Sequence, residues 1–227
     1  MQLSVRQVAK ALSVGEHVVY RWISENQLPA ELVNGQYYFN RAELLEWATV
    51  RKIEIRPHFF QAQAGAAQAG LEPALRAGGV HYHVQGADKE AVLRAIVECM
   101  PLPPSMDRDF LLQVLLNREA LGSTGIGDGL AIPHPRYPVV LAVPQPFITL
   151  CFLDKPIAYS TKDTQLVHTL FALVCPTVRQ HLGLLATLAH GLRSEGFRDA
   201  VQRKTSAEEI LKEARLLEEG LREMSGG

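Results

Sequence analysis

Residues 118–136 read REALGSTGIGDGLAIPHPR, from Arg118 to Arg136. The glycines at 122, 125, 127 and 129 make a flexible, backbone-exposing loop between a helix and a strand. Such loops can offer N–H groups to an anion. Ile132-Pro133-His134-Pro135 follows. Pro133 fixes its own φ, and Pro135 pushes His134 away from helical geometry. His134 is therefore expected on a stiff, extended segment just past a buried strand. An imidazole with its ordinary pKa of about 6.5 is mostly neutral at cell pH. A neutral ring nitrogen is a competent nucleophile towards phosphorus. From spacing alone, a histidine between prolines reads equally well as a simple turn residue.

Working outward, strands and helices alternate from Leu71 onward. Val80–Val84 reads as a strand, and Asp88 caps a helix to Met100. Pro101-Leu102-Pro103-Pro104 is a stop. A helix is expected from Asp107 to Leu121, then strands near Leu130–Ile132, Phe147–Leu153 and Val167–Cys175. Thr177 opens a long helix to about Arg193, and Glu195–Arg203 is a short one. Ser206-Ala207-Glu208-Glu209 is a capping box for the terminal helix. This alternation predicts an α/β sheet layered with helices.

Residues 1–56 predict a separate compact unit. Ser4 caps a helix to Leu12, with Val5, Val8, Ala9 and Leu12 facing inward. Ser13-Val14-Gly15 breaks the chain, and a second helix runs from Glu16 to Glu25. Asn34-Gly35 between extended residues marks a hairpin, Leu32–Phe39. Asn40 then caps a helix from Arg41 to Val50. Helix, tight turn and second helix make a helix-turn-helix, and the hairpin makes a wing. On the second helix His17, Tyr20, Arg21 and Ser24 share a face, as DNA-contacting candidates. Gln36 and Tyr38 are their counterparts on the wing. Residues 57–70 (PHFFQAQAGAAQAG) read as a linker, leaving 71–227 as the second domain.

Composition limits the functions available. The net charge is -1 over 227 residues, so no global charge draws the chain to nucleic acid or membrane. Residues 1–56 carry seven basic and six acidic side chains, a net of +1. Affinity for DNA rests largely on neutralised phosphates, so one copy binds weakly and a homodimer on a two-fold site binds better. Cys99, Cys151 and Cys175 sit far apart in apolar stretches, which predicts buried thiols in a reducing cytoplasm. The apolar stretch Tyr137–Leu153 is interrupted by Pro138, Pro144 and Pro146, which argues against membrane insertion. His81 and His83 alternate on a strand without a third ligand nearby, so no metal is expected, and no cofactor motif is present.

Two resemblances sharpen this reading. Residues 3–48 resemble the excisionase-like, winged helix-turn-helix proteins related to the MerR regulators. The matching parts are V-x-x-V-A-x-x-L-x-V from Val5, Tyr20-Arg21-Trp22-Ile23, Leu28-Pro29-Ala30 and Tyr38-Phe39-Asn40. Residues 71–217 resemble the enzyme IIA domains of the mannitol–fructose class of the bacterial phosphotransferase system, most closely the nitrogen-regulatory branch. The run NREALGSTGIGDGLAIPH carries this resemblance, together with Lys155-Pro156-Ile157, Leu170–Pro176 and Gln180-His181-Leu182. The second resemblance implies a mixed sheet layered with helices, the enzyme IIA type 2 fold. It implies that His134 accepts a phosphoryl group through Nε2, with Arg118 and His181 in support. Ser123 and Thr124 are further phosphate-binding candidates. Pro135 stands where the family pattern has glycine, which removes a backbone N–H and stiffens the site.

Taken together, the sequence predicts a phosphorylation-responsive, DNA-binding regulator. A histidine-containing phosphocarrier protein would donate to His134, making the chain a phosphohistidine carrier rather than a small-molecule enzyme. One alternative is a phosphoryl carrier in a sugar-uptake chain. Another is an interaction module that works unphosphorylated.

Overall fold

A computed structural model describes residues 2–25, 27–33, 35–51, 53, 70–104, 106–135, 143–161 and 163–225. The expected linker lies outside these residues except for Gly70, as does the first part of the apolar stretch from Tyr137.

The N-terminal unit begins with β1 (Gln2–Ser4) and α1 (Val5–Ala11). Ser4 and Gln7 form a reciprocal cap. The Gln7 N–H donates to Ser4 Oγ, and the Ser4 N–H donates to Gln7 Oε1 at 2.9 Å. Ser13 at φ +56° turns the chain before α2 (Glu16–Ser24). β2 (Glu31–Val33) and β3 (Gln36–Asn40) pair antiparallel, with Gly35 at φ +78° in the tight turn. β3 leads into α3 (Arg41–Val50), whose Leu44, Leu45 and Ala48 close the core under α1 and α2. The sequence predicted the hairpin but not its third strand. β1 is too short to show a period, and it pairs with β3 by setting the buried Leu3 opposite Phe39.

The C-terminal unit opens with α4 (Leu71–Gly78), followed by β4 (Val80–Val84), α5 (Lys89–Cys99) and α6 (Arg108–Ala120). Asp88 caps α5 as expected, and Asp107, read as the first residue of its helix, is the cap of α6. β5 (Gly125–Gly127) and β6 (Leu130–Ala131) come next, then the long strands β7 (Phe147–Ile157) and β8 (Val167–Val174). Helices α7 (Val178–Gly191), α8 (Glu195–Gln202) and α9 (Ala207–Ser225) complete the chain. The sheet is mixed, in the order β4-β7-β8-β6-β5. β4 runs parallel to β7 and β6 parallel to β8, while the β7–β8 and β5–β6 pairs are antiparallel.

Burial explains the continuous apolar runs of β7 and β8, because both faces of the sheet are covered. Ile148, Leu150, Phe152, Phe171 and Leu173 point to one face and pack with α4, α7, α8 and α9. Phe147, Cys151, Leu153, Leu170, Ala172 and Val174 point to the other and pack with α5 and α6. The first cluster continues into the core of the N-terminal unit. Among the described residues, no helix is long and apolar enough to cross a membrane.

Two segments differ from expectation. Leu71–Gly78 is a helix, although no capping side chain announces it: Gly70 precedes it without a side-chain cap. The glycine run, expected as a flexible loop, is a tight hairpin instead. Gly127, Asp128 and Gly129 have φ of +88°, +54° and +72°, a sequence of left-handed residues that glycine makes accessible.

Gly78 brings α4 close to β7. A Cβ built there would lie 2.2 Å from the carbonyl oxygen of Ile148. Gly78→Ala would gain up to about 1 kcal/mol of helix propensity. The clash is with backbone and cannot be relieved by a rotamer change, so overpacking of about 1–3 kcal/mol wins. Urea unfolding should show the variant to be less stable; equal or higher stability would contradict this packing.

Candidate phosphoryl-transfer site

The chain reaches His134 along a pinned segment. The Ile132 N–H donates to Thr124 O at 3.0 Å, and the Leu173 N–H donates to Pro133 O at 3.0 Å. β5 and β8 thus hold the segment from both sides. His134 is buried, at 3% exposure. Its Nδ1 donates to Ile132 O at 2.7 Å, which fixes the plane of the ring and aims Nε2 away from the sheet.

Two further groups converge on the ring. The rings of His134 and His181 lie 5.1 Å apart, tilted by 52°. Thr177 caps α7 and brings His181 into its first turn. His181 is buried, and among the described residues its Nδ1 finds no partner. Burial pushes its pKa down to about 3, helped by the nearby charges of His134 and Arg118 against the opposing charge of Glu46. His181 is therefore a neutral ring at ordinary pH. Arg118, in the last turn of α6, is also buried, and its Nη1 donates to Gly122 O at 2.8 Å.

The fourth member comes from the other unit. Glu46 of α3 reaches across, with Oε1 2.9 Å from His134 Nε2 and Oε2 2.5 Å from Arg118 Nη2. Ile132 O and a Glu46 carboxylate are both acceptors, so a ring that satisfies them carries hydrogen on both nitrogens. Burial raises the pKa of the Glu46 carboxyl. The hydrogen bond from His134 and the charges of His134, Arg118 and His181 outweigh that effect and hold it below the usual carboxylate value. Glu46 entered the sequence analysis only as one negative charge. A second face on α3 was the available signal. Leu44, Leu45 and Ala48 fill the core of their own unit, whereas Glu46, Thr49 and Val50 line a narrow cleft with Arg118, Ile126 and His134.

Ser123 and Thr124 also line this cleft, but their hydroxyls serve the framework. Ser123 Oγ donates to Tyr159 O at 2.8 Å. Thr124 donates both its hydroxyl and its backbone N–H to Glu119. Glu119 also pairs with Lys89 at 3.1 Å. These bonds set the loop that carries Gly122 towards Arg118. The phosphate-donor role expected of the two hydroxyls would require them to leave those partners.

The candidate DNA residues lie elsewhere. His17, Tyr20, Arg21 and Ser24 are all exposed on α2. Ser24 Oγ donates to Arg21 O within its own helix. Tyr20 meets Tyr37 of β3 edge-on, with ring centroids 6.3 Å apart, which joins α2 to the wing. On the wing, Gln36 is exposed and Tyr38 half-buried, and Tyr38 Oη donates to Gln36 Oε1 at 3.1 Å.

A mixed sheet that presents two histidines and an arginine beside a glycine hairpin, with a winged helix-turn-helix unit ahead of it, defines the class. Residues 74–215 match the family described as phosphoenolpyruvate-dependent sugar phosphotransferase system, EIIA 2, and residues 3–51 match the helix-turn-helix domain. The chain belongs to this EIIA type 2 family and carries a helix-turn-helix domain at its N-terminal end. It is similar to the nitrogen regulatory protein of Pseudomonas aeruginosa, 33% identical over 143 residues that cover 62% of this chain and 91% of that protein. It is also similar to the nitrogen regulatory protein of Escherichia coli, 31% identical over 134 residues, 58% of this chain and 78% of that protein. The crystal structure of nitrogen regulatory protein IIA-Ntr from Neisseria meningitidis superimposes with a TM-score of 0.53 at 26% identity, over 60% of this chain and 92% of that one.

The buried neutral ring of His181 has a consequence for stability. Its pKa lies at about 3 in the folded state against 6.5 unperturbed. Below pH 6.5 the unfolded chain takes up a proton that the folded chain refuses, so stability falls as pH drops towards 3. Between pH 7 and pH 5 this amounts to about 2 kcal/mol. His181→Gln should flatten that limb in urea unfolding, and an unchanged acid slope would contradict the assignment.

Proposed function

We propose that the chain is a phosphorylation-responsive DNA-binding regulator that accepts a phosphoryl group on His134 Nε2. The observation that carries this reading is the orientation of one ring: Nδ1–H is committed to Ile132 O, and Nε2 is directed to where Arg118 and His181 converge. A histidine phosphocarrier protein is the donor. In the transfer, His134 Nε2 first gives up its hydrogen to water. Its lone pair then forms the new N–P bond while the donor's N–P bond breaks, and that electron pair returns to the donor ring. The Nδ1 hydrogen stays in place throughout. Arg118 supplies a permanent cation for the phosphoryl oxygens, and neutral His181 supplies an N–H. Catalysis here is positioning and charge stabilisation.

The modification brings close to two negative charges into a site shared by both units. The exposed face of α2 and the wing is the DNA reader, with Arg21 for phosphate or a guanine edge. Its low net charge favours two copies on a two-fold operator. Regulation by a cytoplasmic phosphorelay fits a chain that joins these two units. The similarity to nitrogen regulatory proteins favours a regulatory role over sugar uptake.

The test has two parts. Incubation with a radiolabelled phosphocarrier should label the wild type, His168→Ala and His190→Ala but not His134→Ala; label surviving in His134→Ala would remove the assignment. DNA-binding titrations at fixed salt should differ between phosphorylated and unphosphorylated protein. Arg21→Ala should weaken binding about tenfold, in line with the 1–3 kcal/mol of one good contact. DNA affinity that ignores both changes would leave a carrier without a DNA function.

A further inference from the structure

We propose that Glu46 is a built-in occupant of the phosphoryl position, so that docking of the N-terminal unit and phosphorylation of His134 exclude each other. This rests on the reading of His134 as phosphoacceptor and adds how the site is regulated. The two carboxylate oxygens divide between His134 Nε2 at 2.9 Å and Arg118 Nη2 at 2.5 Å. Those are the two positions that a phosphoryl group would use, with its phosphorus on the ring nitrogen and an oxygen on the guanidinium. An anion already stands there, provided by the chain itself.

Exclusion follows from sterics and from charge. A phosphorus bonded to Nε2 occupies the space that Glu46 Oε1 now fills. The phosphoryl group would also bring its charge against the carboxylate and compete with it for the Nη2 of the buried Arg118. A swing of the Glu46 side chain alone would leave α3 against His134, which is 3% exposed and so closed to a donor protein. The helix itself is held. Its neighbours Leu44, Leu45 and Ala48 are at 0–1% exposure in the core of the DNA-reading unit. Trp47 donates its indole N–H to Gln27 O and packs on Trp22 of α2, with ring centroids 5.2 Å apart. Uncovering His134 therefore moves α3, and α2 moves with it. The same link works in reverse, because any partner that binds the docked form better, DNA included if it does so, must disfavour phosphorylation at equilibrium by the matching factor.

The acidic side chain thus holds the resting state together. The docked fraction lowers the apparent reactivity of His134, since only the undocked fraction can meet the donor. Removing the carboxylate should raise it.

The experiment follows phosphoryl transfer from a radiolabelled histidine phosphocarrier to the full-length wild type, Glu46→Ala, Glu46→Gln and His134→Ala. Hydrogen exchange over residues 43–50 and 130–134 is measured on the same samples. Labelling of Glu46→Ala and Glu46→Gln is expected to be about tenfold faster than wild type, as removal of a roughly 90% docked population would give. Exchange in both segments should rise in these variants and in phosphorylated wild type, with α5 and α6 on the far face of the sheet unchanged. Exchange that rises throughout a variant marks misfolding, and the other variant then decides. Equal labelling rates in wild type and both Glu46 variants, with His134→Ala silent, would overturn the proposal and leave His134 as acceptor. No label in any of the proteins would overturn the acceptor reading and this proposal with it.

Discussion

The Nδ1–H of His134 donates to the carbonyl of Ile132, two residues back on the same segment, and the chemistry of the site depends on that bond. It fixes the orientation of the ring and leaves Nε2 as the nitrogen that faces Glu46. Two backbone bonds, to Thr124 and from Leu173, keep the segment itself from shifting. Without them the ring could rotate, and Arg118 and His181 would have no fixed target. The deep burial of the central strands serves this segment, because β8 is the rail against which it is held.

Around this ring the sheet gathers groups of opposed character. His181 is held neutral by burial, whereas Arg118 brings a guanidinium cation. Glu46 supplies the compensating negative charge, and it comes from the other unit. A buried cation left without an anion is costly, so the arginine has reason to keep one close. In the resting chain that anion is a carboxylate. In the modified chain it would be the phosphoryl group. A single electrostatic requirement thereby ties the EIIA type 2 domain to the helix-turn-helix unit, even though the candidate DNA face on α2 lies away from the site.

Much of this could be read from the sequence, for identifiable reasons. Ser4, Asp88, Asp107 and Thr177 cap helices with side chains that announce themselves, and Asn34-Gly35 marks its hairpin. The runs of β7 and β8 are apolar throughout because both their faces are covered. His134, Arg118 and His181 were found through a resemblance, and the structure brings them together. What escaped has physical causes too. β1 is three residues long and makes sense only beside β3. α4 begins after a glycine with no capping side chain. The glycine hairpin at 127–129 looks like a loop because its residues are chosen for backbone angles rather than for burial. Glu46 lies 88 residues from His134, on a helix whose pattern describes only its own domain. No local pattern encodes a contact between two units.

The central claim concerns one nitrogen atom. The measurement that addresses it most directly is heteronuclear NMR of the His134 imidazole, in protein labelled with nitrogen-15, before and after incubation with a phosphorylated histidine phosphocarrier. Phosphorus is expected to couple to Nε2 of His134 while Nδ1 keeps its hydrogen. Phosphorus coupled to Nδ1, or to the ring of any other histidine, would contradict it.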